Sequence, residues 1–353
     1  MKKTYNFCAG PAVIDDAVLR KAQEALIDFD GTGISILSIS HRDDRFSNIY
    51  YQIKEKLKYL LSIPDEHEVL IVPGGASQVF SMIPLNFGLK YKKALYVNSG
   101  SWANKAEKEA KKFLTVESVF ADDGYYAGKQ ISVPGFDYIH YTDNETIDGR
   151  QFQSEIFSNE ALVCCDMSSS FLSKAVDFNK IDVLYAGAQK NIGPAGACLV
   201  IGKKELFNGV ADQAALMNFA SYAKNESRYN TPVTFTWYVM NEVLSWIIDS
   251  GGIEVMQQLS EVRSAMLYDC IDSSDFYLNA VEKDYRSKMN VPFSIFKGGL
   301  DQKFIDEAEI NKLYGLKGHK SVGGFRASLY NALSLEAVES LINFMKNFEI
   351  ANG

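Results

Sequence analysis

The chain has 353 residues, 47% hydrophobic and 23% charged, with a formal net charge of −8. That length accommodates two domains around a substantial core, while the acidic balance argues against the basic face that nucleic acid requires. No apolar run approaches the ~18 residues of a membrane span, and the opening MKKTYNFCAG lacks a secretion signal, so a cytoplasmic protein is expected.

In chain order, NFCAGPA suits an extended arm, and residues 1–14 are assigned to it. Asp15 to Phe29 reads as a helix, with Val18, Leu19, Ala22 and Leu26 at helical spacing before Gly31 and Gly33. ISILSISHR delivers His41 and Arg42 at the exit of an apolar stretch, and Arg45 to Leu61 has helical periodicity. From Glu68 to Asp166, strand-like runs alternate with helices: VLIV, a helix opened by Gly74 and Gly75, ALYV, a helix from Ala103 to Lys112, then YIHYT. This alternation predicts an α/β fold whose mainly parallel sheet is covered by helices on both faces, with sites at the carboxyl ends of the strands. Thr231 and Pro232 predict the start of a helix running to about Asp249. A further helix, about Ile253 to Ile271, leads into a mixed region (NVPFSIF, FRASLY, helices near Lys303 and Leu335) that reads as a smaller α+β domain. The large domain is therefore expected over 15–250 and the small one over 251–353.

The five cysteines, Cys8, Cys164, Cys165, Cys198 and Cys270, show no zinc-type pairing, and three lie in apolar runs. They read as reduced, mostly buried thiols. Gly31-Thr32-Gly33 lacks the third glycine of a dinucleotide fingerprint, and phosphate-loop, HExxH and GxSxG patterns are missing.

The most informative stretch is VLYAGAQKNIGPAGACL, residues 183–199. An apolar run empties into a glycine-punctuated loop carrying Lys190, and a second run begins at Ala197. A lysine held among buried strands has a lowered pKa and becomes an amine able to attack a carbonyl. About two dozen residues upstream, ALVCCDMSSS ends another strand-like run in Asp166. A carboxylate there, in the same sheet as a reactive lysine, is the partner that the ring nitrogen of pyridoxal phosphate requires. Taken singly, Lys190 also fits an ordinary loop lysine, and Asp166 a turn or helix-cap residue.

Eight segments, NFCAGPA, SISHR, NETIDG, CDMSSSFLSK, YAGAQKNIGPAG, YNTPVTFTWY, RSKMNVPF and KGHKSVGGFRASLYNA, spread over nearly the whole length. Together they resemble the phosphoserine aminotransferase family, fold-type I pyridoxal phosphate enzymes of serine biosynthesis. The resemblance implies a seven-stranded, mainly parallel sheet and pyridoxal 5'-phosphate as cofactor. It implies Lys190 as the covalent tether and proton carrier, Asp166 against the ring nitrogen, Trp102 over the ring face and Thr146 in hydrogen bond to the cofactor. The cofactor phosphate would be held by Ala76, Ser77 and Gln189, with Asn230 and Thr231 contributed by the neighbouring subunit of an obligate homodimer. The implied substrates, glutamate, 2-oxoglutarate, phosphoserine and 3-phosphohydroxypyruvate, are polyanions, and phosphorylated hydroxythreonine of vitamin B6 synthesis is a further one. Arg326 would grip the α-carboxylate, and His41 with Arg42 the distal phosphate or γ-carboxylate. His319 and Lys320 would reach in from the other subunit.

Two positions depart from the family pattern: Ser77 stands where Arg or Cys is usual, and Lys320 where Arg is usual. Lys320 keeps the charge but loses the bidentate geometry of a guanidinium, so weaker discrimination is expected. The alternatives are an aminotransferase of the alanine- or serine-glyoxylate type, which needs only one substrate-facing cation, and a non-catalytic pyridoxal phosphate-binding regulator. Neither a metal nor a nucleic-acid or membrane partner is expected.

Overall fold

The computed structural model describes residues 3–208 and 213–353. A short strand β1 (Tyr5–Asn6) precedes helices α1 (Asp16–Ile27) and α2 (Asp44–Leu61). Both helices start at an aspartate cap: Asp15 accepts from the Ala17 N–H at 2.8 Å and Asp43 from the Arg45 N–H at 3.0 Å. Next come β2 (His67–Gly74), α3 (Ala76–Phe87), β3 (Lys93–Asn98), α4 (Ser101–Ala110), β4 (Thr115–Phe120) and β5 (Tyr138–Thr142). A small hairpin of β6 (Asn144–Glu145) and β7 (Arg150–Gln151) leads to β8 (Leu162–Asp166), β9 (Val183–Gly187) and β10 (Gly196–Lys203).

Seven of these strands form one sheet in the order β2-β10-β9-β8-β5-β3-β4, parallel except for β10, which runs antiparallel to both neighbours. The expected mainly parallel seven-stranded sheet is therefore present. Alternate residues of β2 enter two different cores, Val69 and Ile71 on one face and Leu70 and Val72 on the other. Cys165 and Cys164 divide in the same way. Burial on both faces explains why these strands read as continuous apolar runs.

Helices α5 (Phe219–Lys224), α6 (Thr234–Asp249) and α7 (Gly252–Asp272) follow. The C-terminal region adds β11 (Tyr277–Leu278), β12 (Asn290–Ile295), α8 (Asp301–Ile310), β13 (Leu313–Tyr314), β14 (Phe325–Ser328) and α9 (Leu335–Asn352). β11, β12 and β14 make a small antiparallel sheet over a third core containing Phe304, Phe325 and Phe344. The amino-terminal arm belongs to this core: β1 pairs with β13 in parallel, and Tyr5 and Phe7 are buried there. Helix α7 spans both regions, with Ile253 and Met256 in the large core and Leu267 and Ile271 in the small one.

One local expectation is corrected, and one strand lies where the sequence marks none. Helix α6 begins at Thr234, not at the Thr231-Pro232 pair, and its N-cap position is Val233 with no side-chain cap. Tertiary contacts set its first turn instead: Thr234 Oγ1 donates to the Ile36 carbonyl and Thr236 Oγ1 to the Ala195 carbonyl, each at 3.0 Å. Strand β4 was not anticipated, because it is a sheet edge whose residues are mostly exposed and carry no clean apolar alternation.

Candidate active site

The site forms where β8 and β9 end side by side. Asp166 is the last residue of β8, and the loop after β9 carries Lys190. Neighbouring Asn191 pins that loop: its Nδ2 donates to the Phe171 carbonyl at 2.9 Å and its Oδ1 accepts from the Asn331 N–H at 3.0 Å. The lysine is thereby fixed although it lies outside regular structure.

Lys190 is buried, and its amine donates to Thr146 Oγ1 at 2.8 Å. Burial lowers its pKa to about 8, against the opposing pull of Asp166 and Glu145; Arg326 lowers it further. The ring of Trp102 lies 5.6 Å from the amine, and its buried Nε1 has no hydrogen-bond partner. Asp166 is also buried, which raises its carboxyl pKa, while Lys190 and Ser168 oppose the rise. Its Oδ1 accepts from the Ser168 N–H at 2.8 Å and from Ser168 Oγ at 2.6 Å, and the Gly187 N–H donates to Ser168 Oγ at 3.0 Å. Ser168 thus ties the carboxylate to the end of the neighbouring strand.

Arg326, on β14, donates through Nη1 to the Thr146 carbonyl at 3.2 Å, and its Nε is buried without a partner. The structure therefore gathers Lys190, Asp166, Thr146, Trp102 and Arg326 from five separate parts of the chain. Gln189 adjoins them: its carbonyl accepts from the Ala12 N–H at 2.9 Å, so the amino-terminal arm runs along this loop. Ala76 and Ser77 open α3 behind Gly75, which supplies no side-chain cap, and Ser77 is exposed. A helix amino terminus without a side-chain cap has the polarity an anion needs.

The remaining predicted residues lie elsewhere on the single chain. His41 and Arg42 line an open groove with Asp44, Ser47, Tyr51 and Arg228. Burial lowers the His41 pKa, and Arg42 and Arg228 lower it further. Asn230 and Thr231 are exposed in the segment before α6. His319 and Lys320 sit in the loop before β14, where His319 Nδ1 is 2.7 Å from Ser321 Oγ.

Several residues of the cluster escaped the sequence reading. Glu145 is fully buried and accepts from the Trp102 and Ala103 N–H groups, each at 2.8 Å. Asp143 pairs with Lys174 at 2.8 Å, and its own N–H donates to the Asp166 carbonyl at 2.9 Å. Arg228 donates to the His41 carbonyl at 3.3 Å and to Ser47 Oγ. The one local signal was an acidic residue on either side of Thr146 in DNETID. Among the described residues, no cluster of three or more His, Cys, Asp or Glu side chains could hold a metal ion.

This donor set fits pyridoxal 5'-phosphate: a buried amine of lowered pKa, a buried carboxylate on the adjoining strand, an indole with an orphaned N–H, and a free helix amino terminus. Comparison with known proteins agrees. A family model described as Aminotransferase class-V matches residues 4–341. The phosphoserine aminotransferase of Marinomonas sp. (strain MWYL1) is 43% identical, with 100% of both chains covered. The structure of phosphoserine aminotransferase from Bacillus circulans subsp. alkalophilus superposes with a TM-score of 0.94 at 39% identity, covering 100% of both chains. That of the PLP-bound phosphoserine aminotransferase from Trichomonas vaginalis has a TM-score of 0.91 at 35% identity, covering 98% of this chain and 100% of the other.

Proposed function

The chain belongs to the class-V aminotransferase family, and from that premise we propose that it exchanges an amino group between glutamate and 3-phosphohydroxypyruvate, giving 2-oxoglutarate and phosphoserine. The observation that carries this reading is the placement of Lys190 and Asp166 at the ends of adjacent buried strands.

Pyridoxal 5'-phosphate is the cofactor, and when bound it draws electrons from the substrate Cα through its protonated ring nitrogen. Lys190 would hold it covalently through Nζ, Asp166 would face that nitrogen, and Trp102 would cover the ring. Thr146, Gln189 and the turn at Ala76 and Ser77 would supply further hydrogen bonds. Once the amino donor has taken its place, the Lys190 amine accepts the proton from the substrate Cα and holds it at Nζ. In the opposite half-reaction it returns a proton to Cα of the keto acid. An amine with a pKa of about 8 suits both directions near neutral pH. Arg326 grips the α-carboxylate with its planar fork.

Both substrates carry a second anionic group, for which Arg42 and Lys320 offer charge and His41 and His319 offer ring N–H donors, with Arg228 lining the same groove as Arg42. Asn230, Thr231 and Lys320 are exposed on the single chain, and in the proposed homodimer they are the residues with which each subunit completes its partner's site. The test is spectroscopic. The yellow holoenzyme should lose its visible band on addition of glutamate and regain it with 3-phosphohydroxypyruvate. Recovery with pyruvate or glyoxylate instead would assign the chain to the alanine- or serine-glyoxylate type.

A further inference from the structure

Helix α4 has Gly100 at its N-cap position, which offers no side chain to cap the helix. Its first three N–H groups are satisfied from a distant turn: Ser101 donates to Asp148 Oδ2 at 2.9 Å, Trp102 to Glu145 Oε2 and Ala103 to Glu145 Oε1, both at 2.8 Å. Ser99 Oγ adds a bond to Glu145 Oε1 at 3.2 Å. The approach is so close that a Cβ at Gly100, whose φ is +159°, would lie 2.7 Å from Asp148 Oδ2 and 2.9 Å from the Glu145 carboxyl carbon. Glycine is required there to admit the two acids.

The residue after Glu145 is Thr146, which receives the hydrogen bond of the Lys190 amine. A single turn thus holds the backbone that carries the indole and also accepts the hydrogen bond of the amine. We propose that Glu145 is a positioning residue for the reaction: its carboxylate fixes the first turn of α4, which carries the Trp102 ring beside the Lys190 amine, and places negative charge near the Lys190 nitrogen. The proposal deepens the aminotransferase reading above and rests on Lys190 being the tether.

The electrostatics agree with this geometry. Burial raises the Glu145 pKa to about 7, and Asp148 raises it too, whereas the Ala103 and Trp102 N–H groups and Ser99 lower it. The charged groups that act on Lys190 are Asp166 and Glu145, which favour its protonated form, and Arg326, which opposes it. Glu145 therefore exerts its charge mainly above about pH 7, and the effect on Lys190 should fade below that pH. A residue needed only for packing would have no such dependence.

The test uses the holoenzyme and two optical signals. In Glu145→Gln, the pH midpoint of the visible band of the Lys190-bound cofactor should fall by about half a unit to one unit. The quenching of Trp102 fluorescence by the cofactor should weaken as well. Below about pH 6, the wild-type and variant visible spectra should converge. Should Glu145→Gln fail to accumulate as folded protein, Ser99→Ala keeps the test open. It removes one hydrogen bond that favours the Glu145 carboxylate, and should shift the same midpoint downward by a smaller amount. A visible band whose midpoint and tryptophan quenching are unchanged in the variants overturns the role given to Glu145. A wild-type protein that forms no visible band with the cofactor overturns the tether reading itself.

Discussion

The N–H of Asp143 donates to the carbonyl of Asp166 at 2.9 Å, so two buried carboxylates are held on adjoining chain segments at the floor of the site. Only one of them has a lysine bound directly to it: Asp143 is paired with Lys174 at 2.8 Å, whereas Asp166 has its hydrogen bonds from Ser168 and feels Lys190 as a nearby charge. Asp143 also raises the Asp166 pKa. Neutralising Asp143 with its own lysine leaves Asp166 free to serve as the partner of a cationic ring nitrogen.

Removing Lys174 should therefore be costly. Lys174→Met leaves a buried carboxylate without its counter-ion, and a loss of about 2–4 kcal/mol is expected, discounted because the lysine side chain is 20% exposed. Urea unfolding of the cofactor-free protein measures it, and the double variant Lys174→Met/Asp143→Asn should recover part of the loss. Unchanged stability in the single variant would show that Asp143 does not need its partner.

Lys190 should carry a stability cost of its own in the cofactor-free protein. Its pKa falls from 10.5 to about 8 on burial, so folding disfavours the protonated form by about 3 kcal/mol. Because the folded value lies below the unfolded one, that cost is full below pH 8 and disappears as the pH rises toward 10.5. Lys190→Met should accordingly be more stable than the wild type at pH 7, with the gap closing by pH 10. The same variant should lose the visible cofactor band and at least about 10³-fold in transamination rate. A variant that turns over normally would rule out Lys190 as the proton carrier.

Arg326 and the His41-Arg42 pair should separate in kinetics. Arg326→Gln removes the grip on a group common to all four substrates, so KM should rise about 10- to 100-fold in both half-reactions. Arg42→Ala should weaken the phosphorylated keto acid more than a keto acid lacking the distal anion. If Arg42→Ala affects pyruvate and 3-phosphohydroxypyruvate equally, the groove lined by His41, Arg42 and Arg228 does not receive the distal group.

The shared site of the proposed dimer predicts complementation. A Lys190→Ala protein and a His319→Ala/Lys320→Ala protein should each be poorly active. Subunit exchange between them should restore part of the activity, because one hybrid site draws every needed residue from intact positions. No recovery after demonstrated exchange would place His319 and Lys320 on their own subunit's site.

Much of this was legible without coordinates wherever the determining interactions are local. Val183–Gly187 and Leu162–Asp166 announce themselves as buried strands by composition, and the residues proposed to carry the chemistry end them or follow them closely. The caps Asp15 and Asp43 act within two residues as well, yet the periodicity of the helices they open did not mark them as caps. Strand β4 escaped because an edge strand carries no burial pattern to read, and the start of α6 was misplaced because Ile36 and Ala195, far away in sequence, decide it.

By itself the sequence determined the alternating fold, since apolar periodicity is a short-range property, and it marked Lys190 and Asp166 through the segments that resemble the aminotransferase family. Only the tertiary structure decided that Glu145 caps α4 from 42 or more residues away, that Lys174 compensates Asp143, and that the amino-terminal arm packs into the C-terminal core. Such pairings depend on which buried polar groups meet once the chain has closed, and each must find a partner or be expelled to water. That choice is made in three dimensions, and no spacing along the chain encodes it.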